Sequence, residues 1–149
     1  MRQYDLIIIG GGMVGASLAA ALLPTAEELG LRMALIEAQA LPEGGEPVFT
    51  PSYDARSTAL AQGVRTLYRR MGIWSALEAH LTPIDQIHVS DRGRFGTTRL
   101  HADEEKVQAL GYVVENHWLG QALNSHLQQH AGGHLTLISP ADVDMLTPG

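Results

Sequence analysis

Gly10, Gly12, Gly15 and Glu37 carry the clearest chemical signal in this chain. The glycines stand in the run Gly10-Gly11-Gly12-Met13-Val14-Gly15, directly after the apolar stretch Leu6-Ile7-Ile8-Ile9. Glu37 closes a second apolar run, Leu35-Ile36-Glu37, about twenty residues further on, the offset of the acid that binds a ribose in dinucleotide folds. These types at this spacing suit the binding of a dinucleotide. Gly10 permits a sharp turn out of a strand. Gly12, having no Cβ, lets the backbone approach a pyrophosphate. Gly15 lets a helix lie close against a sheet. The N–H groups around Met13 and Val14 then point at phosphates, aided by the helix dipole. Glu37 is placed to accept hydrogen bonds from ribose hydroxyls.

Other chemically capable residues give weaker patterns. Asp54-Ala55-Arg56-Ser57 follows a loop and could bring Arg56 to a cofactor phosphate or ribose as a charged donor. The spacing alone favours Asp54 as a helix cap and Arg56 as a solvated side chain. His126 and His130 are four apart on a predicted helix and so share a face. Leu127 stands where a zinc-protease helix needs Glu, and no third ligand is apparent, so an exposed helix face is expected and no metal site. His88 lies in a predicted strand near Asp91 and Arg92, where a structural hydrogen bond is expected. Asp91-Arg92-Gly93-Arg94 reads as a salt-bridged turn, and Asp103-Glu104-Glu105 as a solvated acidic turn. Trp74 and Trp118 fit the core. No Ser–His–Asp arrangement or general base stands out, and no catalytic residue is assigned. That silence suits an enzyme whose chemistry comes from a bound cofactor.

The elements that must position these residues follow from periodicity. Residues 4–9 predict a buried parallel strand. A helix runs from Met13 to about Leu23, where Pro24 stops or kinks it, with a further turn through Leu29 closed by Gly30. A second strand covers residues 32–36, completing a βαβ unit. Residues 38–53, rich in proline and glycine, form a long loop. Helical spacing predicts a helix over 55–70 and a short one over 73–80. Strands are predicted over 84–90, 95–100 and 112–114, a helix from Asn116 to about Ala131, a strand over 134–138 and the start of another over 141–146. The expected fold class is α/β: a Rossmann-like three-layer fold with strands 4–9, 32–36 and 134–138 in one parallel sheet. The β pieces between 84 and 114 are expected to form a second, smaller sheet.

Bulk composition narrows the function. The chain has 149 residues, suiting one domain or one lobe of a larger enzyme. A hydrophobic content of 45% argues against disorder. A formal charge of −6 without a basic cluster argues against a nucleic-acid partner. With no cysteine, disulfides and thiolate chemistry are excluded. No apolar run approaches the roughly 18 residues of a membrane span, and the first residues do not read as a signal peptide. A cytoplasmic location is the expectation.

Several runs taken together resemble a known family. They are Gly10 to Ala16, Leu35-Ile36-Glu37-Ala38, Asp54 to Leu60, Gly72-Ile73-Trp74, His88-Val89-Ser90-Asp91-Arg92-Gly93, and Gly111-Tyr112-Val113-Val114-Glu115-Asn116. In this order they resemble the N-terminal part of the flavin-dependent aromatic hydroxylases of ubiquinone biosynthesis. The His88–Gly93 and Tyr112–Asn116 runs narrow the choice within nucleotide enzymes.

The resemblance implies FAD, rather than NAD, held at Gly10, Gly12, Met13, Val14, Gly15 and Glu37. It implies that Arg56 touches FAD and that Gln121, two residues before Leu123, is a polar flavin contact. It further implies hydroxylation of a polyprenylated phenol by molecular oxygen through a flavin hydroperoxide, with NAD(P)H as electron donor. A lipid substrate would suggest contact with the inner membrane's surface or with other ubiquinone-pathway proteins. The Asp-Gly and Gly-Asp stretches that complete the family's FAD site do not occur here, so the chain is expected to be the N-terminal part of an FAD-binding domain, inactive alone. Another FAD- or NAD-dependent oxidoreductase and a non-catalytic nucleotide-binding module remain the alternatives.

Overall fold

The computed structural model describes residues 3–42, 50–91, 93 and 95–147. The described residues divide into two compact units, one formed by residues 1–55 and 116–149 and the other by 56–115. Much of the 38–53 loop and the Arg92 and Arg94 positions of the expected salt-bridged turn lie outside the described residues.

The first unit holds a parallel sheet in the order β1-β2-β8, with β1 at Leu6–Ile9, β2 at Met33–Ile36 and β8 at Leu135–Ile138. The register aligns Ile8, Leu35 and Leu137 across it. This is the side-by-side arrangement the three apolar runs predict. Asp5 ties the start of β1 to the start of β2: its carboxylate accepts from the Arg32 backbone N–H at 2.7 Å. That hydrogen bond holds the Asp5 carboxyl below its ordinary pKa. Helix α1, Met13–Leu29, connects the two strands and packs against α4, Asn116–Gln129. The alanine-rich face of α1 makes that packing close, with Ala16, Ala19, Ala20 and Ala26 all buried.

Three expectations change in this unit. Pro24 lies inside α1 without ending it. A proline removes one intrahelical bond, and burial of Leu23 and Ala26 on either side outweighs that local loss. Gly30 closes the helix in the left-handed conformation, φ 68°, as its position predicts. Strand β1 is not buried throughout. Ile8 is buried, whereas Ile7 and Ile9, which point to the opposite face of the sheet, are each 52% exposed. No strand forms over 141–146. Ala141 N–H donates to the Glu37 carbonyl, and beyond it Met145 and Leu146 face solvent.

The second unit pairs β3 (Ser57–Ala61), β7 (Gly111–Glu115) and β4 (Thr82–Ile84) in the antiparallel order β3-β7-β4. A separate hairpin joins β5 (Gln86–Ser90) to β6 (Thr97–His101). The helix expected over 55–70 is therefore corrected. Its first part is strand β3, and only α2, Gln62–Arg70, is helical. Cross-strand pairing of Thr58 with Val114 and Leu60 with Tyr112 overrides the local helical spacing of Ala59 and Leu60. The single strand expected over 84–90 is split at Asp85, because β4 pairs with β7 and β5 pairs with β6. Helix α3, Trp74–Leu77, brings Trp74 edge-on to Tyr112 with centroids 5.0 Å apart. The Arg65 guanidinium lies about equally over both rings, at 6.0 and 5.9 Å. Trp74 is thus a core residue, as expected.

Candidate functional site

The carboxyl ends of parallel strands are where an open α/β sheet binds ligands, because helix N-termini converge there. Here the chain leaves β1 at Gly10, whose φ of +97° is a conformation that favours glycine. Gly12 then becomes the N-cap of α1 and brings no side-chain cap; the first turn holds no acidic residue. The first N–H groups of any α-helix lack intrahelical acceptors. With neither a capping oxygen nor a carboxylate in that turn, this N-terminus suits an external anion. Met13 and Val14 open the helix there, and Val14 is exposed.

The remaining glycines act through close approach. A Cβ on Gly15 would overlap the Gly10 carbonyl oxygen and would stand 3.3 Å from Ile8 Cγ2. The tightest constraint at Gly15 is thus the turn itself, with the strand second. A Cβ on Gly12 would meet Ser52 Oγ at 3.1 Å.

Glu37 sits just past the end of β2, as its spacing predicts. Its carboxylate is already oriented: Oε2 accepts from Gly11 N–H at 2.6 Å, and Oε1 accepts from Gln39 N–H at 2.8 Å. A carboxylate offers about four acceptor positions, so each oxygen keeps one for a hydroxyl. The backbone therefore fixes the acid at the mouth of the glycine turn. This Gly11 contact was not foreseen from the sequence, although a third consecutive glycine was a hint.

Tyr53 was also missed. Its hydroxyl donates to the Gly11 carbonyl at 2.9 Å, and the residue is buried. Its ring lies where a Cβ on Gly120 of α4 would be. A glycine in mid-helix costs roughly 1 kcal/mol against alanine, and that cost was the available signal for a packing partner. Tyr53 thus braces the glycine turn from behind. Gly11, Glu37, Gln39, Leu41, Ser52 and Tyr53 line a small cleft beside the turn. Tyr53→Phe keeps the ring and removes the bond. It should destabilise the protein by about 1 kcal/mol, seen as a lower urea midpoint at unchanged slope. An unshifted midpoint would mean that water replaces the hydroxyl.

Asp54 does not cap a helix at 55, because no helix begins there. Its Oδ1 accepts from Asn116 Nδ2 at 3.2 Å, and its carbonyl accepts from His117 N–H. Asn116 is accordingly the first residue of α4, with its amide spent on Asp54. Arg56 is exposed and belongs to the second unit. Gln121 is half-buried on α4. His88 is exposed in β5, opposite Arg99. The acidic turn at Asp103 to Glu105 is exposed as expected.

A larger cavity of about 640 Å³ lies elsewhere in the first unit, lined by Tyr4, Arg32 and the Ala131–Leu137 segment. Its lining includes residues at the amino ends of β2 and β8 and no helix N-terminus. The glycine turn, despite its smaller cleft, carries the better ligand chemistry.

Among the described residues no group of three or more His, Asp or Glu side chains is placed to hold a metal. No helix among them is long and apolar enough to cross a membrane.

Comparison with known proteins gives the fold and the relatives. The chain is 34% identical over 146 residues to the ubiquinone hydroxylase UbiL of Rhodospirillum rubrum, covering 97% of this chain and 31% of that one. It is 31% identical over 130 residues to the 3-demethoxyubiquinol 3-hydroxylase of Escherichia coli, covering 87% and 31%. It is 25% identical over 133 residues to a mitochondrial ubiquinone biosynthesis monooxygenase of Dictyostelium discoideum, covering 85% and 27%. The chain spans about a third of the length of these curated relatives. Among solved structures, the Diels-Alderase PyrE3 of pyrroindomycin biosynthesis superposes with a TM-score of 0.66 at 20% identity, covering 97% of this chain and 27% of that one. The flavin-dependent monooxygenase PieE, solved with FAD and substrate, gives 0.60 at 21%, covering 91% and 24%. At such identities the structural likeness establishes a shared α/β fold with a parallel sheet. No family model matches the chain. The resemblance to the hydroxylases of ubiquinone biosynthesis, first read from short runs, extends over most of the chain.

Proposed function

We propose that this chain is the adenosine-binding portion of an FAD-dependent monooxygenase that hydroxylates a polyprenylated phenol in ubiquinone biosynthesis. The observation that carries this reading is the uncapped, glycine-built N-terminus of α1 with the Glu37 carboxylate fixed beside it by Gly11. The similarity to ubiquinone hydroxylases supports the reaction class. Within that class the quoted runs resemble those of the 2-octaprenyl-6-methoxyphenol hydroxylases.

FAD, when bound, supplies the activation of oxygen, with NAD(P)H as the proposed source of electrons. The chain's own residues bind and orient. The first N–H groups of α1, around Met13 and Val14, receive the diphosphate charge, which favours a helix N-terminus. Gly10 and Gly12 keep that approach clear. Gly15 holds the turn against the helix. Glu37 accepts from the adenosine ribose hydroxyls through its two remaining acceptor positions. Arg56 and Gln121 are proposed, from the family likeness alone, as further contacts to the cofactor. The β pieces between about 84 and 114 are proposed to belong to the substrate-side sheet of the whole enzyme. A polyprenylated substrate makes peripheral contact with a membrane, or with partner proteins of the pathway, part of the same proposal.

The test is biochemical. The 149-residue chain should elute from gel filtration without yellow colour after mixing with excess FAD, and should show no substrate-dependent oxygen uptake. Flavin retained through the column together with such uptake would contradict a partial site.

A further inference from the structure

We propose that His126 and His130, at the C-terminal end of α4, form a two-imidazole site for a divalent transition-metal ion such as Ni²⁺, Cu²⁺ or Zn²⁺. Residues four apart on a helix face the same way, and here the two rings meet with centroids 4.4 Å apart and planes tilted by 40°. The missing third ligand argued against a protease-type zinc centre. It does not argue against a chelate of two imidazoles completed by water.

The local hydrogen bonding prepares His130 as a ligand. Its Nδ1 lies 2.8 Å from the His126 carbonyl oxygen. A carbonyl can only accept, so Nδ1 carries the proton and the Nε2 lone pair is left available. Metal-bound histidines are oriented in this way, with the second ring nitrogen donating to a carbonyl or carboxylate. His130 is exposed, so Nε2 is open to an ion from solvent.

Charge favours the ion as well. Two imidazolium ions this close repel, whereas one metal ion satisfies both rings. The pair also sits at the negative end of the α4 dipole, which attracts a cation. Imidazole ligands suit Zn, Cu and Ni, and affinity is expected to follow Cu²⁺ above Ni²⁺ and Zn²⁺. Neither histidine lines the cleft beside the glycine turn.

The experiment is a calorimetric titration of the 149-residue chain with Ni²⁺ in a non-coordinating buffer. One equivalent should bind saturably. His130→Gln and His126→Gln should each abolish that isotherm, while His88→Gln, an exposed histidine in β5, should leave it unchanged. Because His130 is exposed, its variant is expected to fold, and its result stands even if the His126 variant does not. Absence of saturable binding in the parent chain would overturn the site. Binding that survives His130→Gln, or that His88→Gln weakens equally, would overturn it too.

Discussion

Gly15→Ala should cost this protein about 3 kcal/mol or more, the upper range for forcing a methyl group into a packed position. The added Cβ would overlap the Gly10 carbonyl oxygen, and the next nearest atoms are Gly10 C at 3.1 Å and Ile8 Cγ2 at 3.3 Å. Two of these are backbone atoms of a turn whose φ of +97° already limits its freedom. Alanine would gain about 1 kcal/mol of helix propensity, too little to offset the clash. For a protein of this size the loss corresponds to a fall in melting temperature on the order of 10 °C. Thermal unfolding of the parent and variant measures it. A melting temperature within a degree or two of the parent would show that the turn relaxes freely and that Gly15 is dispensable.

Gly120→Ala should come second, at about 2 kcal/mol. The new methyl would occupy the space of the Tyr53 ring, which is buried and cannot swing into solvent without breaking its bond to Gly11. Alanine's helix propensity again works against the loss, and the steric term is the larger. The effect should be coupled to Tyr53. In a double-mutant cycle with Tyr53→Ala, the cost of Gly120→Ala should largely disappear, because the overlapping ring is gone. Additive costs would mean that Gly120 matters for some reason other than Tyr53.

The two variants mark the difference between what the sequence shows and what it conceals. The positions of Gly10, Gly12, Gly15 and Glu37 in the fold were legible because a strand, a turn, a helix and a second strand are consecutive, and each residue's place is set by local geometry. The burial of β1 was less legible, because exposure of Ile7 and Ile9 depends on what covers the sheet face they point to and not on their own hydrophobicity. Strand β3 was hidden for a related reason. Ala59 and Leu60 fit a helical period, and only pairing with β7, some fifty residues away by its register, makes them extended. The brace at Tyr53 joins a loop, a turn and a helix that are remote in sequence, and no spacing rule links them. Gly120 alone hinted at it, since a mid-helix glycine requires a reason. His126 and His130 were legible as a shared face, while the hydrogen bond that sets the tautomer of His130 was not.

The central claim is that the α1 N-terminus and Glu37 receive the adenosine diphosphate half of a dinucleotide. Backbone amide NMR of the 149-residue chain, titrated with ADP and separately with FMN, tests it most directly. ADP at millimolar concentration should shift the amides of Gly10 to Ala16 and of Glu37 and Ala38, and Glu37→Ala should remove most of the response. FMN should leave those amides unmoved. Silence of the glycine turn toward ADP, or an equal response to FMN, would contradict the assignment.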